Sequence, residues 1–414
     1  MNTPAPQSKS LWTEPEGGIA LAAALLPVCA LLASRGVVVV LAAGALLSLW
    51  WLGTSGRFAQ IPRGSLALLI ALLIPWAGGT LFWTLEPAIA STKLATVAAI
   101  LLGTLVLNAA ARCNSGDAAR QHLLTSVGTA LVGGFLVGAG ILAADLMWEQ
   151  KIASTVRAVF SLGSAPLVPE AVNQGACVLA VMVWPVVLTL WRRGRLMLAN
   201  GVVIGTGLLV AATPSTSAGL AVAIAAIGAA LVYWGGRRAA RALGGSIAGL
   251  TLLAPLIPLT LMRPERWVPY LPETALPELH RLHLWEFVAK NIVQHPFGGW
   301  GFFASRHMPG GSTELIPGVP LMALHPHNGA LQAWLELGFP GAFLLAAGLY
   351  FLFARIGAGV TDRFTAAMMA ATLLAALSIG SLSYGLWQSW WLAALGIAGS
   401  TMASLHKTSD FGQI

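Results

Sequence analysis

Charged side chains are scarce in this sequence. Only 9% of its 414 residues are Asp, Glu, Lys or Arg, whereas 57% are hydrophobic. This composition excludes an ordinary soluble globular protein. Apolar runs close to the roughly 20 residues that cross a bilayer recur along the chain, and their Ala/Leu-rich composition favours helices over alternating barrel strands. The sequence therefore predicts an all-α polytopic membrane protein.

Cysteine is also rare. Cys29, Cys113 and Cys177 fall in or near three different apolar segments, and their number is odd. Without metal-ligand spacing, this pattern excludes a disulfide framework and a zinc site. The first 18 residues lack the basic start, apolar stretch and cleavage site of a signal peptide, so we expect the first span to be retained.

Hydropathy predicts about 12 transmembrane helices. If the N-terminus is cytoplasmic, most of the 23 Lys and Arg residues lie in cytoplasmic segments. The net charge of +8 therefore reflects topology, and we expect cytoplasmic termini and no nucleic-acid partner. The predicted spans are 18–34, 37–53, 64–82, 94–111, 122–146, 173–191, 197–212, 217–235, 243–261, 328–353, 364–380 and 388–404.

The predicted outer connections are unequal in length. The longest runs from Arg263 to His327 and contains six of the eight histidines. Loops longer than about 15 residues usually carry function or are disordered, and the aromatic patterning of this one favours function. We expect a bundle of about nine helices over 1–262, an outer loop over 263–327 and about three helices over 328–414.

Part of that loop, "LHRLHLWEFVAKNIVQHP", predicts a helix that ends at Pro296. Its apolar residues recur at spacings of three and four and form an amphipathic stripe: Leu279, Leu282, Trp285, Ala289, Ile292 and Val293. A helix lying on the membrane surface accounts for this stripe and for Trp285. It does not account for Arg281, so a ligand-binding role and a structural one both stay open.

The stretch "LHPHNGALQAWLELGFPG" places His327 and Asn328 directly ahead of an apolar helix. Asn328 is a good N-cap, and the start of the helix attracts phosphate through its free N–H groups and dipole. Gly338 and Gly341 follow His327 by about three and four turns, which predicts that the three share a face. Pro340 predicts a kink. Separately, an interfacial His and a packing kink explain these features; together they indicate a site.

A second, polar stripe on the same helix consists of Asn328, Gln332 and Glu336 at spacings of four. A Glu this far into a span is unfavourable unless it has partners or lies in a wet cavity.

The pattern of His327-Asn328, then Gly338 and Gly341, resembles the signature of the O-antigen ligase family, which also includes polymerases. The upstream segment "HRLHLWEFVAKNIVQHPFGGWG" is similar to the family's Arg-containing helix followed by "HP…GWG". The segment "ATPSTSAG", residues 212–219, resembles its Ser-rich turn. The resemblance covers most of the second half of the chain, whereas the first half matches only in hydropathy.

One position departs from the family pattern. Similar proteins often read Asn-Arg-Gly near the start of the sixth span, whereas this chain has Asn173-Gln174-Gly175. If that Arg normally binds phosphate, either Arg157 or Arg266 substitutes for it, or this protein is less active or differs in specificity.

The resemblance implies a GT-C-like glycosyltransferase of the bacterial inner membrane with its active site at the periplasmic face. The donor would be a glycan on undecaprenyl diphosphate, and the acceptor a sugar hydroxyl on lipid A–core or another glycan. The reaction would invert the anomeric centre without a metal or other cofactor. Membrane lipid is the remaining expected partner.

The resemblance also suggests roles for individual residues. Arg281, assisted by Arg157 and Arg266, would neutralise the leaving diphosphate, because Arg matches phosphate oxygens bidentately. His327 would receive or orient the proton of the acceptor hydroxyl, or would bind diphosphate as imidazolium, and both roles stay open. The further candidates for substrate contact are His325, Asn328, Arg306 and Gln174.

Three other functions compete with the ligase interpretation. A polymerase would extend the carrier-linked glycan, and a protein O-oligosaccharyltransferase would transfer it to protein hydroxyls. A secondary transporter or flippase would instead place ionisable residues in the middle of its spans. Only Asp145 and Glu336 fit that description in this sequence.

Overall fold

A computed structural model describes residues 16–61, 64–113, 117–149, 151–159, 169–272, 275–322, 324–359 and 362–406. These residues are mainly helical, and two short antiparallel strands, β1 (Glu314–Ile316) and β2 (Val319–Pro320), form one hairpin. The helices are α1 (Glu16–Leu32), α2 (Gly36–Thr54), α3 (Ser65–Gly79), α4 (Pro87–Arg112), α5 (Asp117–Met147), α6 (Lys151–Val159), α7 (Pro169–Arg192), α8 (Leu196–Ala211), α9 (Thr216–Leu252), α10 (Leu256–Thr260), α11 (Pro264–Trp267), α12 (Leu276–Gln294), α13 (Gly329–Gly359), α14 (Arg363–Gly380) and α15 (Ser389–Leu405).

Within the described ranges, eight helices are long and apolar enough to cross a membrane. They are Gly36–Thr54, Ser65–Phe82, Pro87–Arg112, Leu124–Met147, Val172–Arg192, Thr216–Leu252, Gly329–Ala358 and Arg363–Gly380. Two shorter apolar helices, Gly17–Leu32 and Leu196–Ala211, accompany them. The prediction of an all-α polytopic membrane protein is confirmed.

Helix α9 consists of two helices that meet at a break. The backbone departs from helical geometry at Gly236, with φ 57° and ψ −137°. The break directly follows the end of predicted span 217–235. The second helix begins with the residues that contain Arg237, Arg238 and Arg241, and it runs into predicted span 243–261.

The described chain forms two compact units. Unit 1 is Met1–Arg63, Ile100–Gly219 and Ala393–Ile414, and unit 2 is Gly64–Ala99 and Leu220–Leu392. The division into 1–262, 263–327 and 328–414 stays a prediction.

Close helix contacts organise unit 1. A Cβ on Gly18 would lie 2.3 Å from the Gly44 carbonyl oxygen, and one on Gly134 would lie 2.1 Å from that of Ala24. Small residues therefore allow α1 to approach α2 and α5 closely. The buried carboxylate of Asp145 accepts the backbone N–H groups of Ile152 and Ala153 at the start of α6. The Asp145 side chain thus stabilises the N-terminus of α6.

The core of unit 2 joins α12 to the first part of α13. Leu284, Val288 and Ile292 of α12 share one buried cluster with Leu331 and Leu335 of α13. The predicted helix in this region is therefore confirmed, although its packed face differs from the predicted stripe. Val293 is exposed, whereas Leu284 and Val288, which lie outside the stripe, are buried. A helix buried against several segments hides a wider face than periodicity alone indicates.

Helix α13 is broken at Gly338, which has φ 63° and ψ −162°. The observed break therefore lies two residues before Pro340, where the kink was predicted. A Cβ on Gly338 would meet the Phe297 carbonyl oxygen at 2.0 Å, and one on Gly299 would meet the Glu336 carbonyl at 2.6 Å. The loop before α13 thus packs backbone to backbone against the break, which only glycine permits on both sides.

The break also changes the expected helix face. His327 has φ 53° and precedes α13, and Gly338 is not helical. The prediction that His327, Gly338 and Gly341 share one face of an unbroken helix is therefore wrong. The atoms nearest to a Cβ on Gly338 belong to Phe297 and Gly299 of the loop.

Hydrogen bonds from adjacent segments satisfy the backbone groups that the break leaves free. The pairs are Trp300 N–H to Leu335 O at 2.8 Å, Phe339 N–H to Pro296 O at 2.8 Å, and Trp76 Nε1–H to Leu337 O at 3.0 Å.

Glu336 lies just before the break and is 0% exposed. Its carboxylate accepts hydrogen bonds from Phe303 N–H (2.8 Å), Ser305 Oγ (2.5 Å), Gln332 Nε2 (3.0 Å) and Trp387 Nε1 (2.6 Å). Four donors occupy the acceptor positions of one carboxylate, so the buried group is fully satisfied. Glu336 joins α13 to the loop before it and to the turn after α14.

We expect Gly338→Ala to destabilise the protein, because a Cβ would both clash with Phe297 and occupy an unfavourable backbone conformation. Strain of this kind costs about 1–3 kcal/mol. Thermal unfolding of the detergent-solubilised protein measures the effect. The matched control is Gly249→Ala, since Gly249 is helical and a Cβ there meets nothing within 4 Å. Equal unfolding temperatures for the two variants would contradict a required glycine at 338.

Candidate active site at the start of α13

His327 is held in a strained backbone conformation at the start of α13. Its φ of 53° is uncommon for a residue with a side chain. Its N–H donates to His325 Nδ1 at 3.1 Å, and the preceding carbonyl, Pro326 O, accepts the Trp285 indole N–H at 2.9 Å. These bonds fix the position of the segment over α12. Such strain clusters at functional sites, where surrounding contacts maintain it.

The His327 ring has a defined tautomer. Nδ1 lies 2.7 Å from the Ser383 carbonyl oxygen, which can only accept, so Nδ1 carries the proton and Nε2 carries a lone pair. Burial lowers the pKa of His327, the hydrogen bond to Ser383 raises it, and the charges of Arg281 and His280 lower it further. The net direction is downward, so the ring is neutral at pH 7.

His325 is a second neutral imidazole, 4.3 Å from His327 between ring centroids. Burial, then the charges of His327 and Arg306, lowers its pKa to about 3. Because Nδ1 accepts the His327 N–H, Nε2 carries the proton. His325 Nε2 lies 3.2 Å from the side-chain amide of Gln388. With the amide oxygen turned toward the ring, that oxygen accepts the Nε2 proton.

The first turns of α12 bring positive charge to His327. Arg281 and His280 both act on its pKa, and His280 Nε2 bonds the Pro320 carbonyl at 3.0 Å. Arg281 is half-buried and forms no ion pair with any residue in the described ranges. The structure therefore places the Arg281 guanidinium, which has no ion-pair partner among the described residues, near the neutral imidazole of His327.

A further cationic group lies around Phe303. The Arg306 guanidinium is 5.1 Å and the Lys93 ammonium 5.8 Å from the Phe303 ring centroid, and Lys93 donates to Ser389 Oγ at 2.8 Å. Among the residues that the structure describes, neither cation pairs with a carboxylate. Phe303 has φ 66°, so two of the three described non-glycine residues with positive φ border this site.

Lys93 was missed by sequence reasoning. It is the only basic residue between Gly64 and Ala111. That isolation in an otherwise apolar segment was the available signal, since an ionisable residue within a membrane span often has a function.

The turn between α14 and α15 was also missed, having been treated as a short connection. It supplies Ser383 O to His327 and Gln388 to His325, and Leu386 N–H donates to Gln332 Oε1 at 2.7 Å. The contacts of Ser383 and Leu386 use backbone groups, which leave no residue-type pattern, so only the tertiary structure identifies them.

The other predicted site residues have different environments. Asn328 is confirmed as the N-cap, because its Oδ1 accepts the Leu331 N–H at 3.1 Å. Arg266 is exposed in α11. Arg157 belongs to α6, but its side chain lies outside the described ones. Gln174 is half-buried in α7 of unit 1.

The residue before Gln174 contacts the Ser-rich turn. Asn173 Oδ1 accepts the Ser215 hydroxyl, and Cys177 Sγ lies 3.6 Å from the same oxygen. Within the part of the chain that the structure describes, no group of three or more His, Cys, Asp or Glu side chains could hold a metal ion.

Comparison with known proteins connects this geometry to a family. Residues 201–346 match the family described as O-antigen ligase. The matched segment contains Arg281, His325, His327, Asn328 and Arg306, whereas Lys93 and the turn after α14 lie outside it. The resemblance drawn from the sequence motifs is confirmed over this segment.

Individual relatives carry a consistent name. Proteins called "Putative polysaccharide ligase" are 35% identical over 120 residues in Rickettsia conorii and 37% over 117 residues in Rickettsia prowazekii. One from Rickettsia bellii is 38% identical over 120 residues. These alignments cover 28%, 27% and 28% of this chain, and 29% of each relative's length. The chain thus matches less than a third of each relative.

The low pKa of His325 predicts a loss of stability in acid. Below pH 6.5 the His325 imidazole binds a proton in the unfolded state. In the folded state, where its pKa is about 3, it stays neutral. The free energy of unfolding therefore falls as pH decreases from 6.5 toward 3, by about 1.4 kcal/mol at pH 5.5. Thermal unfolding at pH 7.5 and 5.5 tests this. His325→Gln should show a smaller pH-dependent decrease than wild type, whereas the exposed control His307→Gln should keep the wild-type decrease. Equal slopes in wild type and His325→Gln would contradict the assignment.

Proposed function

We propose, on the premise that residues 201–346 carry an O-antigen ligase domain, that this multi-pass membrane protein is a glycosyltransferase with a lipid-linked donor. It moves a glycan from undecaprenyl diphosphate to a sugar hydroxyl of lipid A–core. The protein lies in the bacterial inner membrane, and the site around His327 faces the periplasm. Nucleotide sugar and metal are not required.

The observation that carries this proposal is the tautomer of His327. The Ser383 carbonyl holds the proton on Nδ1 and leaves the lone pair on Nε2. A neutral imidazole with an available lone pair is suited to accept a proton. The lowered pKa of His327 favours this role over diphosphate binding as imidazolium, because burial and the nearby Arg281 charge both oppose protonation of the ring.

The proposed step is a single displacement. The acceptor hydroxyl oxygen attacks the anomeric carbon of the donor sugar, while its proton passes to His327 Nε2. The bond from that carbon to the diphosphate oxygen breaks, and undecaprenyl diphosphate leaves with the electron pair. Attack opposite the leaving group inverts the anomeric centre. The proton on His327 then passes to solvent.

Cationic side chains support the leaving group in this proposal. Arg281 lies beside His327 without a described carboxylate partner, and its planar guanidinium matches phosphate oxygens bidentately. Arg306 and Lys93 add positive charge around Phe303. Neutralising a diphosphate with fixed cations is an established means of stabilising developing negative charge. Arg157, Arg266 and Gln174 remain proposed contacts to the donor, and Asn328 positions the helix start.

The transporter interpretation loses its two sequence indicators. Asp145 holds the N-terminus of α6, and all acceptor positions of Glu336 are used by Phe303, Ser305, Gln332 and Trp387. Both carboxylates therefore have a structural role that accounts for their burial.

The name of the relatives favours ligase over polymerase. A deletion strain separates the two activities. Loss of glycan on lipid A with intact carrier-linked chains supports ligase, and accumulation of single carrier-linked repeat units supports polymerase.

We expect His327→Ala to lose at least about 100-fold in transfer rate, which is the usual lower range for a general base. The assay uses purified protein, a glycan on undecaprenyl diphosphate and lipid A–core, with chelator present. His283→Ala, in the same α12 segment but without a described contact to His327, serves as the control. Undiminished transfer by His327→Ala would remove this residue from the mechanism.

We expect Arg281→Lys to lose most of its activity while keeping wild-type expression and unfolding temperature, because a point charge does not reproduce a bidentate contact. The rate is measured with varied donor concentration. Arg238→Lys, an exposed arginine of α9 that is not part of the proposed site, is the matched comparison. Wild-type rates for Arg281→Lys would place phosphate binding on other residues.

A further inference from the structure

A cavity of about 500 Å³ lies beside the turn at 295–300 in unit 2. Trp83, Phe297 and Trp300 supply aromatic walls, and Gln294 and His295 supply polar groups. Trp83 follows directly after the candidate span Ser65–Phe82, so the cavity lies where that span ends. Its volume is within the range of about 300–1,000 Å³ that small-ligand sites occupy. The mechanism above does not use it.

The wall of this cavity is rigidly positioned. Trp300 donates its backbone N–H to Leu335 O at 2.8 Å and its indole N–H to Asn291 O at 3.0 Å. The His295 ring packs edge-on against the Trp300 indole, with centroids 4.3 Å apart. The Trp300 ring is therefore fixed before any ligand arrives, and its polar atom is already satisfied. A prepositioned wall of this kind reduces the entropy lost on binding.

The chemistry of the lining indicates one class of ligand. None of the described lining residues is Asp, Glu, Lys or Arg, so the cavity has no permanently charged side chain to neutralise a diphosphate. Aromatic faces contact the apolar C–H faces of sugar rings, and amide and imidazole groups exchange hydrogen bonds with hydroxyls. We propose that the cavity binds a neutral saccharide unit of a membrane-anchored glycan, away from the bond that reacts. This inference rests on the proposed glycosyltransferase function.

The distance between the cavity and His327 sets a minimum length for a glycan that occupies both. Gly299 of the cavity wall packs against Glu336 and Gly338, at the end of the first part of α13. The residues Gly329–Leu337 of that part span about 13 Å at 1.5 Å per residue. A substrate with one sugar at the reaction centre cannot reach the cavity, whereas a chain of several sugars can.

The test compares KM across substrates of different saccharide length, using the full-length protein in lipid nanodiscs. Trp83→Ala should raise KM about five- to tenfold for the long substrate, as expected for loss of an aromatic contact, with kcat unchanged. It should leave KM unchanged for carriers bearing a single sugar. Phe82→Ala is the matched control, since Phe82 is adjacent, 93% exposed and not part of the lining. Gly298→Val, which would fill space beside the Trp83 ring, should reproduce the effect of Trp83→Ala.

Two substrate series identify the source of the saccharide. If the increase in KM follows the length of the carrier-linked glycan, the site binds donor; if it follows the length of the core oligosaccharide, the site binds acceptor. Either result supports the proposal. An unchanged KM for all substrates, or an equal increase for single-sugar substrates, overturns it.

Hydrogen exchange separates this inference from the proposed function, because it requires no turnover. Free oligosaccharide released from the carrier-linked glycan and from the core should protect the peptide covering 294–301 in at least one case. Undecaprenyl phosphate without sugar should not. Protection by the lipid and by neither oligosaccharide would make the cavity a lipid site and overturn the proposal. Protection by oligosaccharide in a protein that transfers nothing would keep the site and reject the proposed reaction.

Discussion

The buried carboxylate of Glu336 is the interaction on which the arrangement of unit 2 depends. Its partners Phe303 and Ser305 lie in the loop before α13, Gln332 lies on α13, and Trp387 lies in the turn after α14. Each donor would be costly to leave buried and unpaired. The carboxylate therefore holds in register the segments that carry the cationic group around Phe303 and the backbone that orients His327.

The break at Gly338 complements this network. By leaving helical geometry there, α13 exposes backbone groups that the loop carrying Pro296 and Trp300 satisfies. Beyond the break, Phe339, Phe343 and Phe351 are exposed, as lipid-facing residues are, whereas the α13 residues before it, 329–337, expose no large apolar side chain. The part of α13 before the break is therefore buried and carries the hydrogen-bonded Gln332 and Glu336. The part after the break exposes apolar side chains, as a membrane-spanning helix does.

Part of the geometric reasoning from the sequence was wrong, and the roles assigned to the site residues stay predictions. Arg281 is close enough to His327 for its charge to lower the pKa of the imidazole, as expected for an Arg on the loop helix near a His at a helix start. The assumption that His327, Gly338 and Gly341 lie on one continuous face failed, because a glycine can leave helical geometry where a loop approaches. Ser383 acts through its carbonyl, which every residue possesses, so no residue pattern could identify it.

Composition and periodicity by themselves determined the class of this protein, because the bilayer requires long apolar helices whatever their arrangement. They also indicated the helix carrying Arg281 and the Asn328 cap, since both depend on contacts within a few residues. The proton position on His327, the partners of Glu336 and the cavity beside Trp300 were decided by tertiary structure alone. Each depends on groups that are far apart in the chain and meet only when the segments pack together.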